Sequence, residues 1–350
     1  MPKRFLGNIM TDAPTAPAGP YQDSAASGVW SLAEALSYTK GGLWPITGNK
    51  AQFAFFGGGN QGSTPKNTIE KLNIATTGSA ADFGNLTAAN DLPASFGSST
   101  RAVWSGGAIG YSPTNVIQYV AMATNGNTSD FGDLTVARTG CSGSSNSTRG
   151  LTWSGGTFPN PISDRIDYVA IATTGNATTF GSCGQHAYWN ASTANETRSV
   201  MAGGHSGGGH LNIISYVAIA TTGNAADFGD LTVARSNSGA AASSTRALFG
   251  GGSDGGGGAL SNVIDYITIG STGNATDFGN LSVARGASGA GAGEVRAVFA
   301  GGGISGATTG SNIIDYVDIA STGNATDFGD LPTSRRGIAG CSNSHGGIAA

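Results

Sequence analysis

The sequence predicts an all-β fold: a six-bladed β-propeller with four antiparallel strands per blade, preceded by an extended N-terminal arm with one short helix. The first observation is a repeat whose central phenylalanine recurs in steps of 48, 49, 48, 50 and 50 residues, at Phe83, Phe131, Phe180, Phe228, Phe278 and Phe328. The second is that each unit divides into four short segments with period-two alternation and turn residues between them. Four strands in a repeat of this length are typical of a propeller blade.

The four segments of a unit differ in composition in a way that fits a blade. The first is built from small residues, as in GASGAGAG at 286–293, and the second is an apolar run closed by glycines, as in RAVFAGGG at 296–303. The third alternates around a tyrosine, as in NIIDYVDI at 312–319, and the fourth carries the phenylalanine, as in DFGDLTVAR at 227–235. First strands meet at the propeller axis, where only small side chains fit, and the large aromatic residues fill the wider space between blades.

The repeat divides the chain into an N-terminal docking arm, residues 1–50, and a propeller, residues 51–350. The first unit begins at its second strand, AQFAFFGGG at 51–59, without a small-residue strand before it. The segment GIAGCSNSH at 337–345 has the composition of the missing strand. We therefore expect the C-terminal strand to pair with the first blade, which would close the ring and leave no long open sheet edge.

The arm differs from the repeat in composition. It contains four of the eleven prolines, which favour an extended chain: Pro2, Pro14, Pro17 and Pro20. Ser31 and Glu34 have capping-box spacing before an apolar run, and two glycines at 41–42 follow it, so one short helix is predicted. The apolar side chains of this segment predict that it docks on the propeller or on another subunit: Trp30, Leu32, Leu36 and Trp44.

Composition argues against several classes of partner. The formal net charge is −4, and the 17 basic residues are scattered singly, so we expect no binding to nucleic acid. No stretch approaches the roughly 20 apolar residues of a membrane helix, so no membrane insertion is expected. The opening of the chain also lacks the apolar core of a signal peptide. The three cysteines, Cys141, Cys183 and Cys341, are far apart and predict free, mostly buried thiols.

The recurrent motifs predict structural roles, with no catalytic residue, cofactor or metal site. The tripeptide DFG occurs in five of the units, and we expect its aspartate to cap a turn or to pair with an arginine such as Arg235 or Arg246. Three NAT sequons fall in the turn before the fourth strand, where we expect asparagine to supply positive φ and to carry no glycan: Asn176, Asn274 and Asn324. A five-residue spacing across glycines does not by itself make His205 and His210 metal ligands.

The loops between the second and third strands vary from blade to blade and must emerge on one face of the ring. Loops held by a rigid scaffold commonly carry binding. The candidate binding residues on this face are Tyr111, Phe158, His205 and His210. The alternative is that the loop variation is neutral.

The order of a small first strand, an apolar strand ending in GG, a tyrosine-bearing third strand, and a fourth strand with an aromatic residue and a closing arginine resembles the kelch repeat. The resemblance covers residues 51–350, with phenylalanine where kelch units usually have tryptophan. The resemblance implies a kelch-like propeller and no particular function, because kelch rings serve as oxidases, adaptors and scaffolds.

Repeats such as IATTGNAADFGDLTVAR at 219–235 also resemble virion proteins of tailed phages, especially those of marine and cyanobacterial hosts, as does GVWSLAEALSYTKGGLWP at 28–45. This resemblance implies a non-enzymatic virion component of the tail, neck or fibre class, made in the host cytoplasm and present in several copies of a symmetric assembly. It favours docking of the arm to other virion proteins, with the propeller contacting a glycan or protein of the host surface.

The alternative hypothesis is a carbohydrate-binding or carbohydrate-cleaving propeller. Glycosidases generally place two carboxylates on either side of the scissile bond. The unmatched acidic residues near loops are Asp164, Asp254 and Glu196, and they would have to converge for a cleaving enzyme.

Overall fold

The protein is seen in a computed structural model that describes residues 52–157, 160–254, 259–305 and 310–348. These residues form strands and turns, and among them there is no helix. The predicted all-β fold with six four-stranded antiparallel blades in a propeller arrangement is confirmed. The predicted arm, its helix and its docking residues Trp30, Leu32, Leu36 and Trp44 lie outside the described residues.

Each blade is one antiparallel sheet whose strands follow one another from the inner edge to the outer edge. From inner to outer, the strands are Ala339–Ser342, Phe53–Gly57, Thr68–Asn73 and Ala81–Asn85 in blade 1; Ala94–Gly97, Arg101–Ser105, Val116–Ala121 and Ser129–Asp133 in blade 2; and Ser142–Ser145, Arg149–Thr157, Asn160–Ala170 and Thr178–Ser182 in blade 3. They are Ala191–Ala194, Arg198–Ala202, Ile213–Ala218 and Ala226–Asp230 in blade 4; Gly239–Ala242, Arg246–Gly250, Val263–Thr268 and Thr276–Asn280 in blade 5; and Gly289–Ala292, Arg296–Ala300, Ser311–Asp318 and Thr326–Arg335 in blade 6.

Short strands extend the loops of three blades. They pair as Asn60–Gln61 with Thr64–Pro65, Ala108–Ile109 with Ser112–Pro113, and Arg285–Gly286 with Gly303–Ile304. All of them belong to the end of the ring where second strands lead into third strands.

The first strands of all six blades lie around a central channel, each next to the first strands of its two neighbours. Blade 1 takes its first strand from the C-terminal end of the chain, with Ala54 opposite Ser342 and Gly57 opposite Ala339. The two ends of the described propeller therefore meet in one sheet, and no inner edge is left open.

Aromatic pairs fill the space between the sheets. In blades 2 to 6 the tyrosine of the third strand and the phenylalanine of the fourth strand meet edge to face, with ring centroids 5.5 to 5.8 Å apart. In blade 1, where Lys71 stands at the place of the tyrosine, Phe55 of the second strand meets Phe83 edge to face at 5.0 Å. Burial of each such side chain stabilises the fold by roughly 1.5 to 3 kcal/mol, which explains why the phenylalanine sets the period of the sequence.

The turn before each fourth strand docks on the outer edge of the preceding blade. Between blades 1 and 2, Gly126 N donates to Phe83 O at 3.0 Å and Thr128 N donates to Asn85 O at 2.9 Å. Asn127 Oδ1 accepts a hydrogen bond from Asn85 N at 3.0 Å. The same contacts recur at every junction, with Ser79 in place of the asparagine between blades 6 and 1. Every outer edge is thus covered by its neighbour.

These contacts correct one expectation about the motifs. The sequon asparagines Asn176, Asn274 and Asn324 do not have positive φ. Their side chains accept hydrogen bonds from the preceding blade instead. The glycine of each DFG segment permits this docking, since a Cβ on Gly84 would overlap with the carbonyl of Gly126.

The predicted pairing of the DFG aspartate with a repeat arginine is wrong. These aspartates are exposed. Arg235 instead forms a buried ion pair with Asp265 of the next blade, Nη2 to Oδ2 3.0 Å. Arg246 donates to the backbone carbonyls of Ile319 and Ala320 and lies over the ring of Tyr266. Both arginines therefore act between blades, which an interpretation confined to one unit could not show.

Candidate functional site

Two sets of loops meet at one end of the ring, which we call the loop face. The loop after each second strand forms a β-bridge with the segment that enters the same blade from the preceding one. The bridged pairs around the ring are Asn60 with Arg336, Asp91 with Ala108, Thr139 with Gly156, Tyr188 with His205, Ser236 with Ser253 and Gly286 with Gly303. The variable loops are thus held against the ring by backbone hydrogen bonds.

A closed ring of backbone hydrogen bonds surrounds the channel at the loop face. We call its members the mouth ring, and they are Leu92, Gly140, Trp189, Asn237, Ala287 and Gly337. The N–H of each residue donates to the carbonyl of the preceding one, at 2.7 to 3.2 Å, and Leu92 N closes the ring on Gly337 O. All six have left-handed φ, between 52° and 69°, which is costly for a leucine, tryptophan or alanine.

Inside the mouth ring lies a cavity that is open to solvent at the loop face, and its empty space together with this open solvent is about 580 Å³. It is lined by the mouth ring and by the beginnings of the six first strands. None of the described residues that line it carries a charge. The side chains of Ser192 and Ser288 line this cavity and are buried, and neither hydroxyl has a hydrogen-bond partner among the described residues.

The other end of the channel meets the segment 343–348, which follows the last strand. His345 Nε2 lies 3.2 Å from Ser145 Oγ, and His345 Nδ1 accepts a hydrogen bond from Gly347 N at 3.0 Å. Gly346 N donates to Ala242 O at 2.9 Å. Part of the His345 side chain reaches solvent, but its imidazole lies deep among protein atoms, and this desolvation lowers the pKa of His345 to about 4. The neutral ring therefore bonds this segment to blade 3.

Blade 4 differs from the other blades at the mouth because four aromatic side chains cluster there. Tyr188 and Trp189 have ring centroids 4.4 Å apart, and Tyr188 and His205 5.4 Å apart. His205 and His210 meet edge to face at 5.2 Å. The two histidines are oriented by hydrogen bonds at their Nδ1 atoms, from Gly207 N and with the Ser236 hydroxyl. We call these four residues the blade 4 cluster.

The structure brings together two of the four predicted binding residues. His205 and His210 belong to the blade 4 cluster. Tyr111 lies on the hairpin of blade 2, is 75% exposed, and donates from its hydroxyl to Ser63 O at 2.7 Å. Phe158 lies outside the described residues.

The sequence analysis missed Tyr188 and Trp189. The signal was present, because SCGQHAYWN at 182–190 departs from the DLTVAR pattern that follows the phenylalanine in other units. At the place of Tyr188 the other junctions have Asp91, Thr139, Ser236, Gly286 and Arg336, none of which is aromatic. A comparison of units at this segment, in addition to the loops after the double glycines, would have found them.

Metal-ligating side chains and thiols were the other groups that the sequence brought into question. Among them, no three His, Cys, Asp or Glu side chains are placed to hold a metal ion. The prediction of free, buried cysteines is confirmed. Burial raises the pKa of all three thiols, that of Cys341 to about 12, so they remain protonated and poorly nucleophilic.

The three candidate carboxylates of the alternative hypothesis do not converge. Glu196 lies in the turn between the first and second strands of blade 4, at the end of the ring opposite the loop face. Asp254 follows the second strand of blade 5 at the loop face. Asp164 accepts a hydrogen bond from Ser182 Oγ at 2.6 Å.

Within the parts of the chain described above, no helix has the length and apolar character that a membrane span requires. Comparison with protein-family models finds no match to this chain, and comparison with curated proteins finds none either.

Proposed function

We propose that the protein is a non-enzymatic virion protein of a tailed phage, associated with the tail, neck or fibre. In this proposal the kelch-like propeller is a rigid peripheral module that contacts the host surface through its loop face. Residues 1–50 dock to other virion subunits. The observation that carries the proposal is the concentration of non-repeating aromatic side chains at one end of an otherwise repetitive ring.

Rigidity of the ring supports a peripheral role. Adjacent blades are joined by backbone hydrogen bonds at each outer edge, by buried ion pairs such as Arg285 with Asp315 at 3.0 Å, and by the closed mouth ring. A binding surface on such a scaffold loses little conformational entropy when a ligand binds. The blade 4 cluster is therefore presented in a fixed geometry.

The chemistry of the loop face supports binding without turnover. The cavity has a neutral lining, and the unpaired hydroxyls of Ser192 and Ser288 have no base beside them among the described residues that line it. Nucleophilic catalysis needs a base within hydrogen-bond reach of the nucleophile. An attachment function needs only shape and complementary polar groups.

Support for the virion role comes from the arm and from the repeat. The arm has an apolar segment of the kind that usually packs on another protein surface, with the side chains of Trp30, Leu32, Leu36 and Trp44. The repeat and the segment 28–45 resemble tailed-phage virion proteins. The order of strand types within each unit supports the kelch-like assignment of the ring.

Electron cryomicroscopy of purified phage particles that carry this gene tests the proposal. We expect a six-bladed disc attached through residues 1–50, with the loop face directed away from the particle. Deletion of residues 1–49 should abolish incorporation of the protein, whereas Tyr111→Ala, at an exposed position of the loop face, should leave it unchanged. Absence of the protein from purified particles, or normal incorporation of the truncated chain, would overturn the proposal.

A further inference from the structure

The six junctions of the propeller provide an internal comparison that singles out one position of the mouth. At the mouth ring, five members are a leucine, an alanine, an asparagine and two glycines, and the sixth is Trp189. The tryptophan lies against Gly140, where a Cβ would come within 2.8 Å of the indole Cδ1. One junction has thus replaced a small or flexible group with a large planar ring, and its neighbour in the ring is a glycine that leaves room for it.

Trp189 faces the cavity. It is half-buried and lines the cavity together with Asn190 and Ser192. Tyr188 and His205 pack behind it at centroid distances of 4.4 and 6.3 Å from the indole. The indole is therefore supported by other rings and offers part of its surface to a molecule in the mouth.

The lining of the cavity also includes neutral polar side chains. Ser192 and Ser288 are each 7% exposed, line the cavity, and have hydroxyl groups without a hydrogen-bond partner among the described residues. Both hydroxyl oxygens are themselves buried, and rotation about χ1 can turn either one toward the cavity, where a ligand or a water molecule can recover the free energy that an unpaired buried hydroxyl costs. The site therefore combines an aromatic platform with neutral hydroxyl groups that can both donate and accept.

We propose that the mouth of the channel beside Trp189 binds a neutral sugar residue of a glycan. A pyranose ring has an apolar C–H face that packs on an indole and equatorial hydroxyls that hydrogen-bond to serine and asparagine. This inference deepens the proposed attachment function by naming the ligand class.

The neutral lining of the cavity argues against anionic ligands and against purely apolar ones. Phosphates and carboxylates are usually bound by arginine, lysine or helix N-termini. No cationic side chain lines this cavity within the described chain. A purely apolar ligand would leave Ser192 and Ser288 unpaired, so a neutral ligand rich in hydroxyl groups fits best.

The test uses the full-length protein labelled with 5-fluorotryptophan, which gives one fluorine NMR signal for each of the five tryptophans. The signal of Trp189 is assigned from its loss in Trp189→Phe. We expect it to shift on titration with at least one of a panel of neutral oligosaccharides built from glucose, galactose, mannose or N-acetylhexosamine. Trp104 and Trp153, both fully buried, serve as internal controls whose signals should not move.

The two variants are Trp189→Asn and Val295→Ala, the latter at a position that is 59% exposed in the turn between the first and second strands of blade 6, at the end of the ring opposite the loop face. Asparagine is native at the equivalent mouth-ring position, Asn237, with φ 60°, so Trp189→Asn preserves the left-handed backbone while removing the platform. We expect about tenfold or greater loss of affinity in Trp189→Asn and unchanged affinity in Val295→Ala. Thermal unfolding of both variants checks that the ring is intact.

Three outcomes would overturn the inference: no neutral glycan shifts the Trp189 signal, binding survives Trp189→Asn, or acidic oligosaccharides bind more tightly than their neutral counterparts. The failure of this inference is separable from failure of the virion role. If the protein binds a glycan but is absent from phage particles, only the proposed virion role is wrong. If the protein is incorporated into particles but binds no glycan, only the assignment of the ligand is wrong.

Discussion

The junction between blades 3 and 4 and the junction between blades 4 and 5 share their backbone contacts but differ in side-chain chemistry. At the second junction Arg235 and Asp265 form an ion pair whose side chains are both fully buried. At the first, Ala187 and Ser215 occupy the same two places, and Gln185 Nε2 donates to Ser215 Oγ at 3.3 Å. Buried charge is therefore not required to join two blades.

The other junctions show that charge is kept or lost as a pair. Ion pairs join four of the six junctions: Arg138 with Asp167, Arg235 with Asp265, Arg285 with Asp315 and Arg335 with Glu70. Between blades 1 and 2 the same places hold Asn90 and Gln118, both neutral. A lone buried charge is far more costly than either a buried pair or two neutral groups, which explains why the two positions change together.

A second pair of positions, which forms a cation–π contact between the second and third strands of each blade, also changes together. In blades 2 to 6 an arginine at the start of the second strand lies over the tyrosine of the third strand, 4.6 to 5.0 Å from the ring centroid. In blade 1 the places are reversed, and Lys71 Nζ lies 3.8 Å from the centroid of Phe53. The cation–π contact is preserved although both residue types have moved.

The largest expected effect comes from breaking one ion pair. Asp265→Ala should lower the free energy of unfolding by about 3 to 5 kcal/mol, because Arg235 would remain buried without its partner. Ser215→Ala, at the equivalent place of the neutral junction, should change it by less than about 1 kcal/mol. Urea denaturation of the full-length variants measures both.

A double variant separates the loss of the pair from the loss of packing. Asp265→Gln with Arg235→Asn copies the neutral pair Gln118 and Asn90 of the junction between blades 1 and 2. It should recover most of the stability that Asp265→Ala loses. A double variant as unstable as the single one would show that the charges themselves hold this junction.

The sequence predicts the six-bladed ring but not the contacts that join adjacent blades. The reason is that the residues that make these contacts are far apart along the chain. The phenylalanine period and the small first strands are local patterns, so blade number and strand order follow from them. Asn127 and Asn85 are 42 residues apart, and Arg235 and Asp265 are 30 residues apart, with each pair spanning two units. In a chain of similar repeats, a residue has many equally plausible hydrogen-bond or ion-pair partners at such separations, so the sequence alone does not identify the right one.

The candidate site is harder to predict for a different reason. His205 and His210 stand out because histidine is rare in the chain, with four in total. Trp189 becomes part of a site only through the left-handed backbone of the mouth ring, and neither Leu92 nor Trp189 is a residue type that favours this conformation. Its importance appears only when the six units are compared at the structurally equivalent place.

The two ends of the channel also contrast, because the mouth is neutral whereas the far end holds an ionisable group. The pKa of His345 is lowered to about 4 in the folded protein, against 6.5 ordinarily. As pH falls from about 6.5 to about 4, the unfolded chain binds a proton that the folded chain does not, so stability is lost over this window, by up to about 3 kcal/mol. We expect hydrogen exchange of segment 343–348 to accelerate at pH 4.5 relative to pH 7, after correction for intrinsic rates.

His345→Gln isolates this effect from the titration of carboxylates. The glutamine side chain can hydrogen-bond but does not ionise in this range. The difference in stability between pH 7 and pH 4.5 should therefore be smaller in the variant than in the native chain. An equal difference in both would show that protonation of His345 does not release the segment.

The smallest of these effects tests what the junctions have in common. Gly181 of blade 3 faces the docking turn of blade 4, and a Cβ there would overlap with the carbonyl of Gly223, whereas a Cβ on Gly223 would meet no atom within 4 Å. Gly181→Ala should cost about 1 to 3 kcal/mol of unfolding free energy because the turn must move away, and Gly223→Ala should cost less than about 1 kcal/mol. Neither glycine has a φ in the left-handed region, so the difference reports steric contact and not backbone strain. The junction between blades 3 and 4 lacks an ion pair, so the contact between Gly181 and the docking turn supplies a larger share of its stability. Equal effects of the two substitutions would mean that side-chain packing, and not the docked turn, joins these two blades.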